Sequence, residues 1–283
     1  MLASQLYATT DVLPVAGLDR LAEHLPNAWI EQALEATGTA SIRRRRLPAE
    51  QVVWLVIALA IYRRQSMPEV LATLDLALSA ASAQAVSKSA VTQARQRLGA
   101  KPLAQLFDQT ARAWCQQDAE YHAWQGLSLW AMDGTTFRTP DSTNNRAHFG
   151  AQAYASGKVA SYPQVRAVSI TAIPTHLVSD IAFGTYAQNE MLYAKTLVGR
   201  IADHSLTVFD RGFLSAEILL GLTLGGQERH YLIPAKSNTK WEVLSGSADD
   251  CLVRMRVSPQ ARAKAPELPE HWTARAVRMV SAN

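Results

Sequence analysis

The 283-residue chain carries 28 lysines and arginines against 24 aspartates and glutamates, for a formal net charge of +4 and a pI near 9.1. Apolar residues make up 48% of it, enough for a sizeable core, which excludes an intrinsically disordered chain. Only two cysteines are present, Cys115 and Cys251, far apart and in no metal-like spacing, so a disulfide scaffold is excluded and a reducing cytoplasm is the expected location.

Residues 1–124 read as a helical domain. Residues 18–36 form one amphipathic stretch, followed by the arginine run Arg43 to Arg46, which is either a phosphate contact or a solvated linker. Pro48 opens an apolar helix through Tyr62, because proline is tolerated in a first turn. That apolar run is shorter than the roughly 20 residues needed to span a bilayer, so it reads as a buried helix and no membrane partner is expected. Ser66 and Glu69 have capping-box spacing and start a further helix. The small residues 79–85 read as a linker. A helix from about Ser87 stops at Gly99, and another runs from Lys101 to about Trp124.

On the helix after Ser87, the spacing puts Val91, Ala94 and Leu98 on one apolar face. Lys88, Gln93, Arg95, Gln96 and Arg97 occupy the remainder. Arginine and glutamine can pair bidentately with guanine and adenine edges, so this face is a candidate DNA contact. The same pattern also describes an ordinary amphipathic helix with a solvated face, and the eight-residue linker is longer than a helix-turn-helix turn.

Beyond Gly126 the period changes. Residues 127–132 are almost continuously apolar, the pattern of a strand covered on both faces, and they end at Asp133-Gly134-Thr135-Thr136. A polar loop is expected to about Tyr162. Residues 165–173 and 176–183 read as a hairpin around Pro174-Thr175. A helical stripe covers residues 188–202, and residues 206–209 form a second short strand ending at Asp210-Arg211-Gly212. Residues 214–224 read as a helix and 230–233 as a strand. Further strands are expected at 252–257 and 273–280, separated by the stretch from Pro259 to Pro269.

This order of strands and helices matches a ribonuclease-H-like mixed α/β sheet over residues 125–240, with residues 241–283 starting a β-rich insertion. In such a sheet the first and fourth strands are parallel neighbours, which brings Asp133 and Asp210 to one site. Two carboxylates repel unless a cation offsets them, and hard oxygen ligands suit Mg²⁺ or Mn²⁺, which can promote phosphodiester chemistry. Taken singly, either aspartate could equally be a turn residue or a helix N-cap. The seven histidines form no HExxH pair, and P-loop, GxGxxG and GxSxG signatures are absent.

The segments Trp130-Ala131-Met132-Asp133-Gly134-Thr135 and Val208-Phe209-Asp210-Arg211-Gly212-Phe213 resemble the first and second acid motifs of DDE transposases of the insertion sequence 4 family. Residues 87–99 resemble that family's N-terminal DNA-binding region, and residues 232–240 its segment after the second motif. The resemblance implies a DNA transposase that cleaves and joins DNA with a divalent metal. Asp133 and Asp210 would be its catalytic metal ligands, and double-stranded DNA (element ends and target) its partner. It also implies paired subunits on two DNA ends, a homodimer on DNA. Arg138, Arg146, Arg211, Lys236 and Lys240 are candidate phosphate contacts near the acids.

The family's third acid is a glutamate in the pattern Tyr-x2-Arg-x3-Glu-x6-Lys, and no tyrosine here begins that pattern. The expectation is a C-terminally truncated transposase that binds metal poorly and does not transpose alone. Glu217, Glu228, Glu242, Asp249 and Asp250 are weak substitutes, Glu217 because an acid near a helix start favours the helix dipole. Two other readings stay open: a metal-dependent nuclease of the same fold, and a non-catalytic DNA-binding inhibitor.

Overall fold

The structure is a computed structural model that describes residues 16–40, 47–77, 87–154 and 157–279. The arginine run at 43–46, the linker at 79–85 and Val280 lie outside the described residues. The chain divides into two compact units, residues 1–110 and 111–283.

The first unit is helical: α1 (Ala16–His24), α2 (Asn27–Ala36), α3 (Ala49–Ile61), α4 (Met67–Ala77), α5 (Lys88–Leu98) and the first half of α6 (Lys101–Tyr121). The amphipathic stretch over 18–36 is two helices. Pro26 lacks the amide hydrogen that a continuing helix needs and instead takes the N-cap position of α2. Pro48 likewise precedes α3, whose Val52, Val53, Trp54, Leu55 and Ala58 are buried. The backbone amide of Ser66 donates to Glu69 Oε2 at 2.6 Å, which is one half of the expected capping box. Ser87 caps α5 by accepting from the Ala90 amide at 3.2 Å. Helix α3 packs against α2, α4 and α5, and Leu34, Leu55, Val70, Val91, Ala94 and Leu98 share one core.

The second unit contains a five-stranded sheet of order β3-β2-β1-β4-β5, built from β1 (Ser128–Arg138), β2 (Gln164–Ala172), β3 (Val178–Thr185), β4 (Ser205–Phe209) and β5 (Arg229–Leu232). The first three strands are antiparallel, whereas β1, β4 and β5 run parallel. Between β1 and β2 lies α7 (Thr143–Phe149), between β3 and β4 lies α8 (Glu190–Leu197), and between β4 and β5 lies α9 (Ala216–Leu224). This is the mixed sheet expected of a ribonuclease-H-like fold.

A second sheet, β6-β7-β8, comprises β6 (Glu242–Gly246), β7 (Asp250–Arg256) and β8 (His271–Val277), with α10 (Pro259–Lys264) before β8. Its inward residues Val253, Met255 and Trp272 join the same core as Met132, Ile170, Phe209 and Leu219. The Tyr231 and Trp272 rings, 6.4 Å apart, link the two sheets. Strand β6 and helices α7 and α10 were not expected. Helix α7 buries none of its residues, so it leaves no apolar periodicity to read. Among the described residues, no helix is long and apolar enough to cross a membrane.

Candidate functional site

The site is built where the sheet order reverses, between β1 and β4. In open α/β sheets this switch point leaves a crevice at the carboxyl ends of the parallel strands. The β1–β4 ladder runs from Ser128 paired with Ser205 to Met132 paired with Phe209. Asp133 and Asp210 are the next residues of the two strands. Met132 and Phe209 are buried on the side packed by α8. Because side chains alternate along a strand, the next positions point to the other face, and both aspartates are exposed. Adjacent strands are spaced by about 4.8 Å, so the two aspartates follow neighbouring positions at the same end of the sheet.

One expectation is corrected. Asp133 does not end its strand: β1 continues to Arg138 because β2 is long enough to keep pairing with it, through Asp133 with Ser169 and on to Arg138 with Gln164. Only the β4 side of the ladder stops, where Asp210 turns the chain into a 3₁₀ turn over Arg211–Phe213. Beyond Met132, β1 is therefore paired on one edge alone.

Both acids also make short local bonds. Asp133 Oδ1 accepts from the Gly134 amide at 2.7 Å. Asp210 Oδ2 accepts from the Gly212 amide at 3.0 Å and so caps its own turn. Phe213, 2% exposed, anchors that turn in the core, its ring 6.2 Å from that of Phe209. The capping role and a ligand role are compatible, because a carboxylate has lone pairs to spare.

Of the candidate cations, Arg211 is exposed immediately after Asp210, and Lys236 and Lys240 are exposed after β5. Strand β5 is parallel to β4, so its following segment leaves from the same end of the sheet. Arg138 closes β1 with its guanidinium over the Tyr162 ring, 4.2 Å from the centroid. Arg146 is committed within its loop: it holds Asp141 at 2.5 and 2.9 Å and donates to the Ser161 carbonyl at 2.7 Å. That pair holds the Asp141 carboxyl below the usual range, first through the Arg146 hydrogen bond.

Among the substitute acids, Glu217 forms an ion pair with Lys195 across α9 and α8. Glu228 faces His204 at 2.7 Å, Glu242 faces Arg254 at 2.6 Å, and Asp250 faces Arg275 at 2.5 Å. Asp249 lies 3.6 Å from Arg278. Each already faces a basic side chain. Among the described residues, no three acids, cysteines or histidines converge as they stand.

Glu190, which the sequence reading did not single out, packs against this strand. It opens α8, whose start is capped by Asn189 accepting from the Met191 amide at 3.0 Å. A Cβ on Gly134 would lie 2.5 Å from both Cδ and Oε1 of Glu190. Its carboxyl group therefore sits directly against the residue after Asp133. An acid after an N-cap asparagine reads in sequence as ordinary helix-start chemistry, which hid it.

In the first unit, α5 presents the expected faces. Val91, Ala94 and Leu98 are buried, whereas Lys88, Gln93, Arg95, Gln96 and Arg97 are exposed. Arg95 and Arg97 also occupy the last turn, where cations favour the helix dipole, so their presence has a structural reason too.

Comparison with known proteins gives two family matches. Residues 15–108 match the insertion element 4 transposase N-terminal family, and residues 124–281 match the transposase DDE domain. The chain is 37% identical over 259 residues to transposase InsG for insertion sequence element IS4 of Escherichia coli (strain K12), covering 91% of this chain and 58% of InsG. It is 35% identical over 237 residues to InsZ of the same strain, covering 82% of this chain and 77% of InsZ. The chain thus spans little more than half the length of InsG. A piggyBac transposase synaptic complex with hairpin DNA matches with 12% identity and a TM-score of 0.34, over 82% of this chain and 55% of that one, a likeness too weak to carry an argument.

Proposed function

The chain belongs to the insertion element 4 family of DDE transposases, and from that premise we propose that it binds insertion-element ends and cleaves and joins DNA through a metal site on Asp133 and Asp210. The observation that carries this reading is the register: the two aspartates are the next positions after the last β1–β4 pair, on the exposed face.

The donor set fits the implied metal. Carboxylate oxygens are hard ligands, and a site with few protein groups suits Mg²⁺ or Mn²⁺, which keep positions for water and phosphate oxygens. When bound, such an ion polarises the phosphodiester and the attacking oxygen, and a pair of ions can serve both attacking and leaving oxygens. Asp133 and Asp210 would hold the ion. The rigid β1–β4 pair fixes their spacing. Arg211, Lys236, Lys240 and Arg138 offset phosphate charge beside them, and Arg146 braces the loop after β1.

The exposed face of α5 supplies the end-binding surface, with Gln93, Arg95, Gln96 and Arg97 reading base edges and Lys88 meeting phosphate. The functional division we propose places end binding in residues 1–124, catalysis in 125–240 and a β-rich element in 241–283. Two copies would act together on two ends, in the cytoplasm on nucleoid DNA.

A second reading is a non-catalytic one: the polypeptide occupies element ends without joining them and so inhibits transposition. A gel shift on terminal inverted-repeat DNA, paired with a Mn²⁺-dependent cleavage assay, separates the two. Cleavage that Asp133→Asn and Asp210→Asn both lose supports the enzyme. End binding without cleavage supports the inhibitor, and no preference for end DNA over random DNA would sink both.

A further inference from the structure

We propose that Arg166 of β2 joins Arg138 of β1 in a two-arginine clamp for a backbone phosphate of DNA, a role that rests on the DNA-binding reading above. The register puts the two together. Thr136 pairs with Arg166 and Arg138 pairs with Gln164, so positions 138 and 166 are diagonal neighbours on one face of the sheet. Their row lies roughly 10 Å along β1 from Asp133, on the other face of that strand and beyond the end of β4.

The two guanidiniums are held in the same way. Arg138 lies over the Tyr162 ring, 4.2 Å from its centroid, and Arg166 over the Tyr186 ring, 4.5 Å from its centroid. Each tyrosine is fixed by a backbone bond beside it. The Thr139 amide donates to the Pro163 carbonyl at 2.9 Å, and the Tyr186 amide to the Phe149 carbonyl at 2.8 Å. Stacking occupies the flat face of a guanidinium and leaves its N–H edge for an oxyanion, which it can meet with two parallel bonds.

The charge on this face is not offset by the protein. Among the described residues neither arginine is paired with a carboxylate, and the Arg166 Nε is buried with no hydrogen-bond partner. Asp141, close in sequence to Arg138, is taken by Arg146. Glu190 reaches the same face at Gly134 but is bonded to neither guanidinium. Two neighbouring cations repel, and an orphaned donor costs free energy until an acceptor reaches it. A phosphate offsets both. It carries no base information, so the clamp would hold any DNA strand that passes the far end of β1.

The test is DNA binding by the full 283-residue chain, read by fluorescence anisotropy over a range of salt, on duplexes of element-end and of random sequence. Arg138→Gln and Arg166→Gln should each weaken binding about 10-fold at low salt, equally on both duplexes, and lower the salt slope by about one. Arg166→Lys keeps the charge but loses the planar fork, so it should regain only part of the loss. Tyr186→Leu should weaken binding about 3-fold, and Tyr186→Phe, which keeps the ring, should not. Arg138 is exposed at the end of its strand, so its replacement tests the clamp even if Arg166→Gln folds poorly. Glutamine variants that bind within about 2-fold of wild type with an unchanged slope would overturn the clamp and leave the α5 reading standing. Full recovery in Arg166→Lys would also overturn it, by reducing the site to diffuse charge. If the wild type binds neither duplex, the clamp and the DNA-binding reading fall together.

Discussion

Asp133 and Asp210 stand one position past Met132 and Phe209, the last pair of the parallel β1–β4 ladder, and both are exposed where that pair is buried. The buried pair fixes the height of the acids; alternation along β1 sets the direction of Asp133, and the turn that Asp210 caps sets that of Asp210. Rigidity comes from the core, whereas access comes from the ending of β4, which leaves β1 without a partner on that edge.

Because both aspartates are exposed and make only local bonds, replacing either should cost little stability in metal-free protein. Asp133→Asn and Asp210→Asn should melt close to wild type in the presence of chelator. With Mn²⁺ at about 100 times its Kd, wild type should gain about 2.7 kcal/mol, or roughly 5 °C or more, and neither variant should gain. A thermal scan with and without metal checks this. An equal gain in all three proteins would place the ion elsewhere.

Gly134 and Glu190 should be coupled in stability. Gly134→Ala puts a methyl group where the Glu190 carboxyl lies, and overpacking of this kind costs about 1–3 kcal/mol. Glu190→Ala empties the space, so the double variant should recover most of that loss. Urea unfolding of the four proteins closes the cycle. Additive effects would mean that the two residues do not touch in solution.

Much of this arrangement was legible in the sequence. The apolar spacing of Val91, Ala94 and Leu98 gave the buried face of α5. The hairpin of β2 and β3 was readable from Pro174-Thr175, and the order of elements implied that β1 and β4 would be parallel. What stayed hidden was set by distant partners. Where β1 ends depends on the length of β2, which pairs with it through Arg138, and nothing near Asp133 announces that. The meeting of Glu190 with Gly134 joins residues on separate elements, and no local pattern records it. Pro26 was overlooked because the amphipathic stripe continues across the break between α1 and α2.

The DNA reading of α5 separates sequence recognition from general attraction. Arg95→Ala with Arg97→Ala should weaken binding to the element's end by about 10-fold or more, and binding to random DNA by less, if these side chains reach base edges. The buried face is untouched, so folding should be retained. A competition gel shift at fixed salt measures both losses. Equal loss on both DNAs would reduce the pair to phosphate contacts, and no loss would take α5 out of the interface.

Acid should loosen the second unit through its surface carboxylates, and the sign follows from their partners. Asp250 is held below the usual carboxylate range, first by the hydrogen bond from Arg275 and then by its charge. Asp141 is held low in the same way by Arg146. In the unfolded chain both return to about 3.9. Between the folded and unfolded values the unfolded state binds more protons, so stability rises with pH across that window. The contribution is fully present above about pH 4 and disappears as pH falls through the lower, folded values. Both pairs are exposed, so salt should shrink the effect. Asp250→Asn should therefore lower the urea midpoint at pH 7, and the difference from wild type should close towards pH 3. A difference that persisted unchanged at pH 3 would assign the loss to packing at the end of β7, not to the charge on Asp250.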